Sequence, residues 1–185
     1  ELEDTLRSNG LTPARVLCSH AHVDHCANNR YFQEKYGTKI ALTFPEAGMC
    51  ASLLTLKCYF LTLSPGTVER ESACMVHEPD YFIPPNDGPF TLGGVKFQVV
   101  QTPGHSAGHI CVITPDNVCY TADALLSGEL LNAKLPYNLS QEMAIHSREK
   151  LRGLGCDFYI MAHRGVCSGE EIGPLIDANQ ALIRR

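Results

Sequence analysis

Apolar and polar positions fall into short blocks along the chain, and each block predicts an element. The opening ELEDTLRSN reads as the end of a helix, stopped by Gly10 with Pro13 just beyond. ARVLCS, residues 14 to 19, is an apolar run of strand length. A helix is predicted from Cys26 to Tyr36, ended by Gly37, and TKIALT, residues 38 to 43, predicts a second buried strand. Strand, helix and strand in succession predict a parallel βαβ unit. Residues 45 to 63 mix helix formers with apolar positions. From Ser64 to Pro89 the punctuation by Pro65, Gly66, Pro79, Pro84, Pro85 and Gly88 predicts irregular structure.

The second half is richer in strands. FTL and VKFQVV flank Gly93 and Gly94 as a hairpin, and ICVIT and VCYTA flank PDN as another. A helix from about Gln141 to Leu154, a strand at DFYIMA and a closing helix from about Glu170 to Ile183 complete the pattern. There is no solenoid-type repeat and no low-complexity segment.

The 185 residues predict one domain, 1–185, with 44% hydrophobic and 19% charged residues as in a globular protein. A formal net charge of -5 gives no source for phosphate-backbone attraction, so a nucleic-acid partner is not expected. No apolar run approaches the roughly 20 residues needed to span a bilayer, and the acidic opening does not resemble a signal peptide. A membrane partner is therefore not expected either. Nine cysteines occur without a C-x-x-C pair, a dispersed set that reads as reduced thiols in a cytoplasmic protein.

Candidate chemistry gathers at the ends of the apolar runs. SHAHVDH places His20 and His22 two residues apart, so in extended chain both imidazoles face one side, and Asp24 and His25 follow where the next helix begins. Three imidazoles and a carboxylate within six residues suit zinc. Downstream come TPGHSAGH with His105, TAD with Asp123 and MAHRG with His163, each after a predicted strand. A polar surface loop with incidental histidines is the plain alternative, and the downstream motifs weigh against it.

H-x-H-x-D-H, then a strand-end histidine in T-P-G-H-S-x-G-H, an aspartate in T-x-D and a final strand-end histidine resemble the metallo-β-lactamase superfamily, over residues 14 to 184. The resemblance implies an α/β fold, an αββα sandwich. It implies two zinc ions per chain, with iron or manganese as alternatives: one held by His20, His22 and His105, the other by Asp24, His25 and His163, with Asp123 bridging. Two metals about 3.5 to 4 Å apart share a hydroxide and polarise the substrate oxygen, with no serine or cysteine nucleophile. Asp24 and Asp123 are the candidate catalytic residues, Asp24 as orienter of the hydroxide.

Other residues near these motifs have plainer readings. His109 is read as orienting its loop by hydrogen bonding, His146 and His77 as solvated or packed, and Cys26 as a small buried filler. Arg164, whose planar fork suits a carboxylate or phosphate, and Tyr137 and Asn138, in the segment after Asp123, are candidate contacts for a small-molecule substrate.

Family members usually begin with several antiparallel strands, whereas this chain opens at a helix, so the N-terminal sheet is expected to be incomplete. An open edge is expected to pair with another chain, as a homodimer or by strand sharing, unless residues 64 to 90 fold back over it. Hydroxyacylglutathione hydrolases resemble the chain in H-x-H-x-D-H but carry a C-terminal helical domain, for which too few residues follow His163. Persulfide dioxygenases have a glycine-cysteine-glycine-arginine stretch that residues 124 to 135 lack, the nucleic-acid-processing branches add histidine motifs and basic surfaces not found here, and flavodiiron proteins replace the second histidine with glutamate. The leading expectation is hydrolysis of an ester-type bond, thioester or lactone ahead of lactam or phosphodiester. A mononuclear iron oxygenase and a non-catalytic, metal-binding or truncated member are the alternatives.

Overall fold

A computed structural model describes residues 2–133, 137–163 and 165–183. The chain divides into two compact units, Glu1–Ile83 and Pro84–Arg185. No helix among the described residues is long and apolar enough to cross a membrane.

The first unit runs α1 (Leu2–Ser8), β1 (Arg15–Leu17), α2 (Val23–Cys26), α3 (Asn29–Tyr36), β2 (Lys39–Thr43), α4 (Phe44–Cys50), α5 (Leu53–Tyr59), α6 (Pro65–Ser72), a 3₁₀ turn (Ala73–Met75) and β3 (Tyr81–Ile83). The strands form a parallel sheet in the order β1-β2-β3, with Val16 opposite Ile40 and Leu42 opposite Phe82. The βαβ unit expected from the sequence is present. Ile40, Ala41 and Leu42 are fully buried, as a central parallel strand covered on both faces requires. Ile40 and Leu42 pack with Leu56, Val68 and Met75 in one apolar cluster. Each fully buried Ile or Leu contributes about 1.5–3 kcal/mol.

Two expectations are corrected in this unit. The helix predicted from Cys26 to Tyr36 is two helices, α2 and α3, separated at Ala27 and Asn28. The cause is tertiary: buried Asn29 places its Nδ2 3.1 Å from both Cys18 Sγ and His77 Nε2, anchoring the start of α3 from outside the helix. The stretch from Ser64 to Pro89 is not irregular, because it carries α6, the 3₁₀ turn and β3. Pro65 starts a helix rather than breaking one. Its fixed φ suits the first turn, and Ser64 Oγ accepts from the Thr67 N–H at 3.1 Å. β3 adds to the β2 side of the sheet, so β1 remains an edge strand among the described residues.

The second unit runs β4 (Gly88–Leu92), β5 (Val95–Gln101), β6 (Ile110–Ile113), β7 (Val118–Ala122), α7 (Gly128–Ala133), α8 (Gln141–Arg152), β8 (Phe158–Met161), β9 (Gly165–Ser168) and α9 (Ile172–Ile183). Its six-stranded sheet follows chain order and is antiparallel except between β7 and β8, which α8 joins as a crossover. Gly93 and Gly94, at φ 59° and 83°, make the tight turn between β4 and β5 that only residues tolerant of positive φ close well. Cys111, Cys119, Leu151, Tyr159 and Ile176 fill the core of this unit. α7 and β9 were not expected. β9 is four residues of mixed polarity, and it becomes a strand because β8 offers it an edge.

Candidate metal centre

Each unit carries part of the candidate site. In the first, the Cys18 N–H still bonds to Ala41 O as β1 ends, and the chain then leaves the sheet through Ser19, His20 and Ala21. The loop is tied down by the Ala21 N–H donating to Glu46 Oε2 at 2.7 Å, with Glu46 buried on α4. His20 is fully buried, and Ser19 Oγ lies 3.1 Å from its Nδ1, which designates Nε2 as its ligating nitrogen. Tyr59 Oη lies 2.9 Å from His22 Nε2, which designates Nδ1 of His22. The ligand atoms of His20 and His22 lie within 4.8 Å of one another, so the i, i+2 spacing does put both rings on one side. The rings of His20 and His25 are 4.0 Å apart, and His25 Nε2 is 3.5 Å from Asp24 Oδ2 on the exposed start of α2.

In the second unit three side chains meet. Asp123 Oδ2 lies 3.3 Å from His105 Nε2 and 3.3 Å from His163 Nε2. Asp123 and His105 are buried, while the His163 side chain is 43% exposed and open to exchange. Backbone strain places the aspartate: Ala122, immediately before it, sits at φ 46°, where β7 slips register against β8. His105 is placed by close backbone packing against α8. Gly104 has φ 138°, and a Cβ there would stand 2.4 Å from the Ala144 backbone nitrogen. Ser140 N–H donates to Gly104 O at 3.0 Å, and Ser147 Oγ donates to Pro103 O at 2.7 Å.

The donor set fits a divalent metal. His105 Nδ1 is 2.9 Å from the Tyr137 carbonyl, to which it can only donate, so Nε2 is the nitrogen turned towards the Asp123 carboxylate. A divalent cation would satisfy Nε2 and the carboxylate together at this 3.3 Å separation. Imidazole with carboxylate is the set that zinc and its neighbours accept.

The remaining candidates fall out differently. Tyr137 borders the site, with its carbonyl on His105 and its ring 5.7 Å from the His105 ring. Asn138 is half-buried, and its Oδ1 has no hydrogen-bond partner among the described residues. Arg164 lies outside the described residues. His109 is buried with Nδ1 2.9 Å from Thr102 Oγ1, His77 is buried against Asn29 and Met75 O, and His146 is exposed on α8. Sequence reasoning missed Ser19, Glu46, Tyr59 and Arg148. The first three act only through contacts, Glu46 and Tyr59 from α4 and α5, where the apolar pattern carried no metal-ligand spacing.

Comparison with known proteins places this geometry. A hydroxyacylglutathione hydrolase of Mesorhizobium japonicum is 29% identical over 136 residues, covering 71% of this chain and 42% of its own. A probable metallo-hydrolase of Bacillus subtilis, YqgX, is 26% identical over 131 residues, covering 71% and 56%. The chain thus spans about half the length of these curated relatives. Among solved structures, the BLEG-1 B3 metallo-β-lactamase superposes with a TM-score of 0.71 at 21% identity, covering 98% of this chain and 82% of that one. A metallo-β-lactamase family protein of Thermus thermophilus gives 0.72 at 22% identity, covering 97% and 64%. With a family model matching residues 3–163 as well, the histidine and aspartate motifs, the strand-end loops that carry them and the shared fold make this chain a member of the metallo-β-lactamase superfamily.

Proposed function

We propose that this chain is a metal-dependent hydrolase of ester-type bonds, with thioesters as the favoured substrates, and that the seven residues of its histidine and aspartate motifs are ligands for a pair of zinc ions. The observation that carries the reading is Asp123, whose carboxylate stands between two imidazoles at 3.3 Å with the His105 tautomer set by a backbone carbonyl. Thioester chemistry is favoured because several of the curated relatives are named hydroxyacylglutathione hydrolases. Iron or manganese are the alternative metals.

A metal pair supplies a nucleophilic water near neutral pH and a Lewis acid for the substrate carbonyl. The chain's own residues do the positioning. Tyr137 O holds His105 by its Nδ1–H, Ser19 and Tyr59 orient His20 and His22, and Asp24, exposed at the start of α2, would orient the attacking water. None of the nine cysteines is in a disulfide, including Cys26 and Cys50 with sulfurs 4.0 Å apart, which supports placing the protein in the reducing cytoplasm. The test combines metal analysis with a hydrolysis screen over thioester, lactone, phosphodiester and lactam compounds. Two metals per chain and turnover of a thioester are expected, and a metal-loaded protein inactive on all four classes would overturn the reading.

A further inference from the structure

Arg148 is on α8, within the second unit, and is 2% exposed. It lines a cavity of about 210 Å³ with His105, Asp123, Leu126, Tyr137 and His163. Its Nε donates to the Ala124 carbonyl at 2.8 Å, but Nη1 has no hydrogen-bond partner among the described residues. Asp123 shares the cavity, with its Oδ2 facing His105 and His163. Burial pushes the guanidinium down to about 10, so it stays charged at neutral pH.

A buried guanidinium with an unsatisfied Nη1 is costly, and one backbone carbonyl answers only one of its five N–H groups. Apolar neighbours such as Leu126 weaken local screening and strengthen its pull on any anion that enters. The cavity is smaller than the roughly 300 Å³ typical of small-molecule sites, so it suits a short acid rather than a bulky anion. We propose that Arg148 is the receptor for a carboxylate at the far end of the substrate's acyl chain, which directs the site to short dicarboxylic acyl esters and thioesters. The substrate class rests on the hydrolase reading above, while the anion receptor is a property of Arg148 itself.

The test compares S-succinyl- and S-pentanoyl-N-acetylcysteamine, similar in length and differing in the terminal carboxylate, on metal-loaded wild type, R148M and R148Q. The glutamine variant keeps a planar donor for Ala124 O and serves if R148M does not fold. Wild type is expected to prefer the succinyl thioester by about tenfold or more in kcat/KM, and the neutral variants to lose that preference. No preference in wild type, or an unchanged one in the variants, overturns the proposal. If neither thioester is turned over, the hydrolase reading fails on these substrates, and calorimetric titration with succinate decides the receptor separately. Any succinate binding to the metals is common to all three proteins. Wild-type binding about tenfold tighter than in the variants supports the receptor, and equal binding overturns it.

Discussion

Asp123 combines burial, a strained neighbour and two imidazoles within 3.3 Å, so its replacement acts on the donor set at once. D123A is expected to lower metal content by at least one ion per chain and to abolish hydrolysis, read by elemental analysis and a thioester assay. H109A is the control. His109 bonds to Thr102 rather than facing Asp123, so its loss is expected to cost about 1–3 kcal/mol of stability with metal content near wild type. Equal metal loss in both variants would mean that the wrong histidine was assigned as ligand. Y59F removes the hydroxyl at His22 Nε2 and leaves the ring, and outer partners of ligating histidines typically change metal affinity about 10–100-fold. Competition with a chelator measures that loss, and unchanged affinity would assign Tyr59 to packing alone.

Among the elements, α8 does most to place the second part-site, because the His105 loop lies directly on its first turns. G104A must move either that loop or α8, since the new Cβ would meet Ala144 backbone atoms at 2.4 and 2.5 Å at a φ that alanine rarely adopts. A loss of about 2–4 kcal/mol in urea unfolding is expected, together with weaker metal binding. Wild-type stability in G104A would show that the loop has room to shift. α1 is held differently, by Glu3 accepting hydrogen bonds from Lys35, Tyr36 and Tyr31 around α3. These bonds hold the Glu3 carboxyl down to about 2. A carboxyl depressed on folding stabilises above its unfolded value of about 4.3 and loses that contribution as pH falls through the folded one. The attachment of α1 is therefore expected to weaken between about pH 4 and 2. Resonances of the Tyr31 and Tyr36 rings should titrate with a midpoint near 2, and a midpoint of about 4 would show that Glu3 is solvated.

At the scale of the whole molecule, the three-stranded sheet leaves β1 paired on one side only among the described residues. Backbone donors and acceptors along such an edge invite another strand. Residues 64 to 90 do not remove the opportunity, because the strand they supply to this sheet, β3, pairs with β2. Association through β1, as a homodimer or by strand sharing, is the expected outcome, and light scattering at low protein concentration reads it directly. A clean monomer at all concentrations would sink that expectation.

The apolar pattern alone determined the βαβ opening, the two hairpins, the α8 helix and the closing helix, because each is a run long enough for periodicity to show and carries its own Gly or Pro punctuation. It also determined which histidines and aspartates to watch, since H-x-H-x-D-H and the strand-end motifs are local signals. What no local signal carried was decided in three dimensions. The split between α2 and α3 depends on Asn29 reaching Cys18 and His77, β9 exists because β8 has an edge to fill, and Pro65 begins a helix because Ser64 is there to cap it. Tyr59 and Glu46 serve the histidine loop from 37 and 25 residues away along the chain. Arg148 reads in sequence as one more charge on an amphipathic helix, and only folding, by burying it on the cavity of Asp123 with Nη1 unsatisfied among the described residues, gives that charge a use.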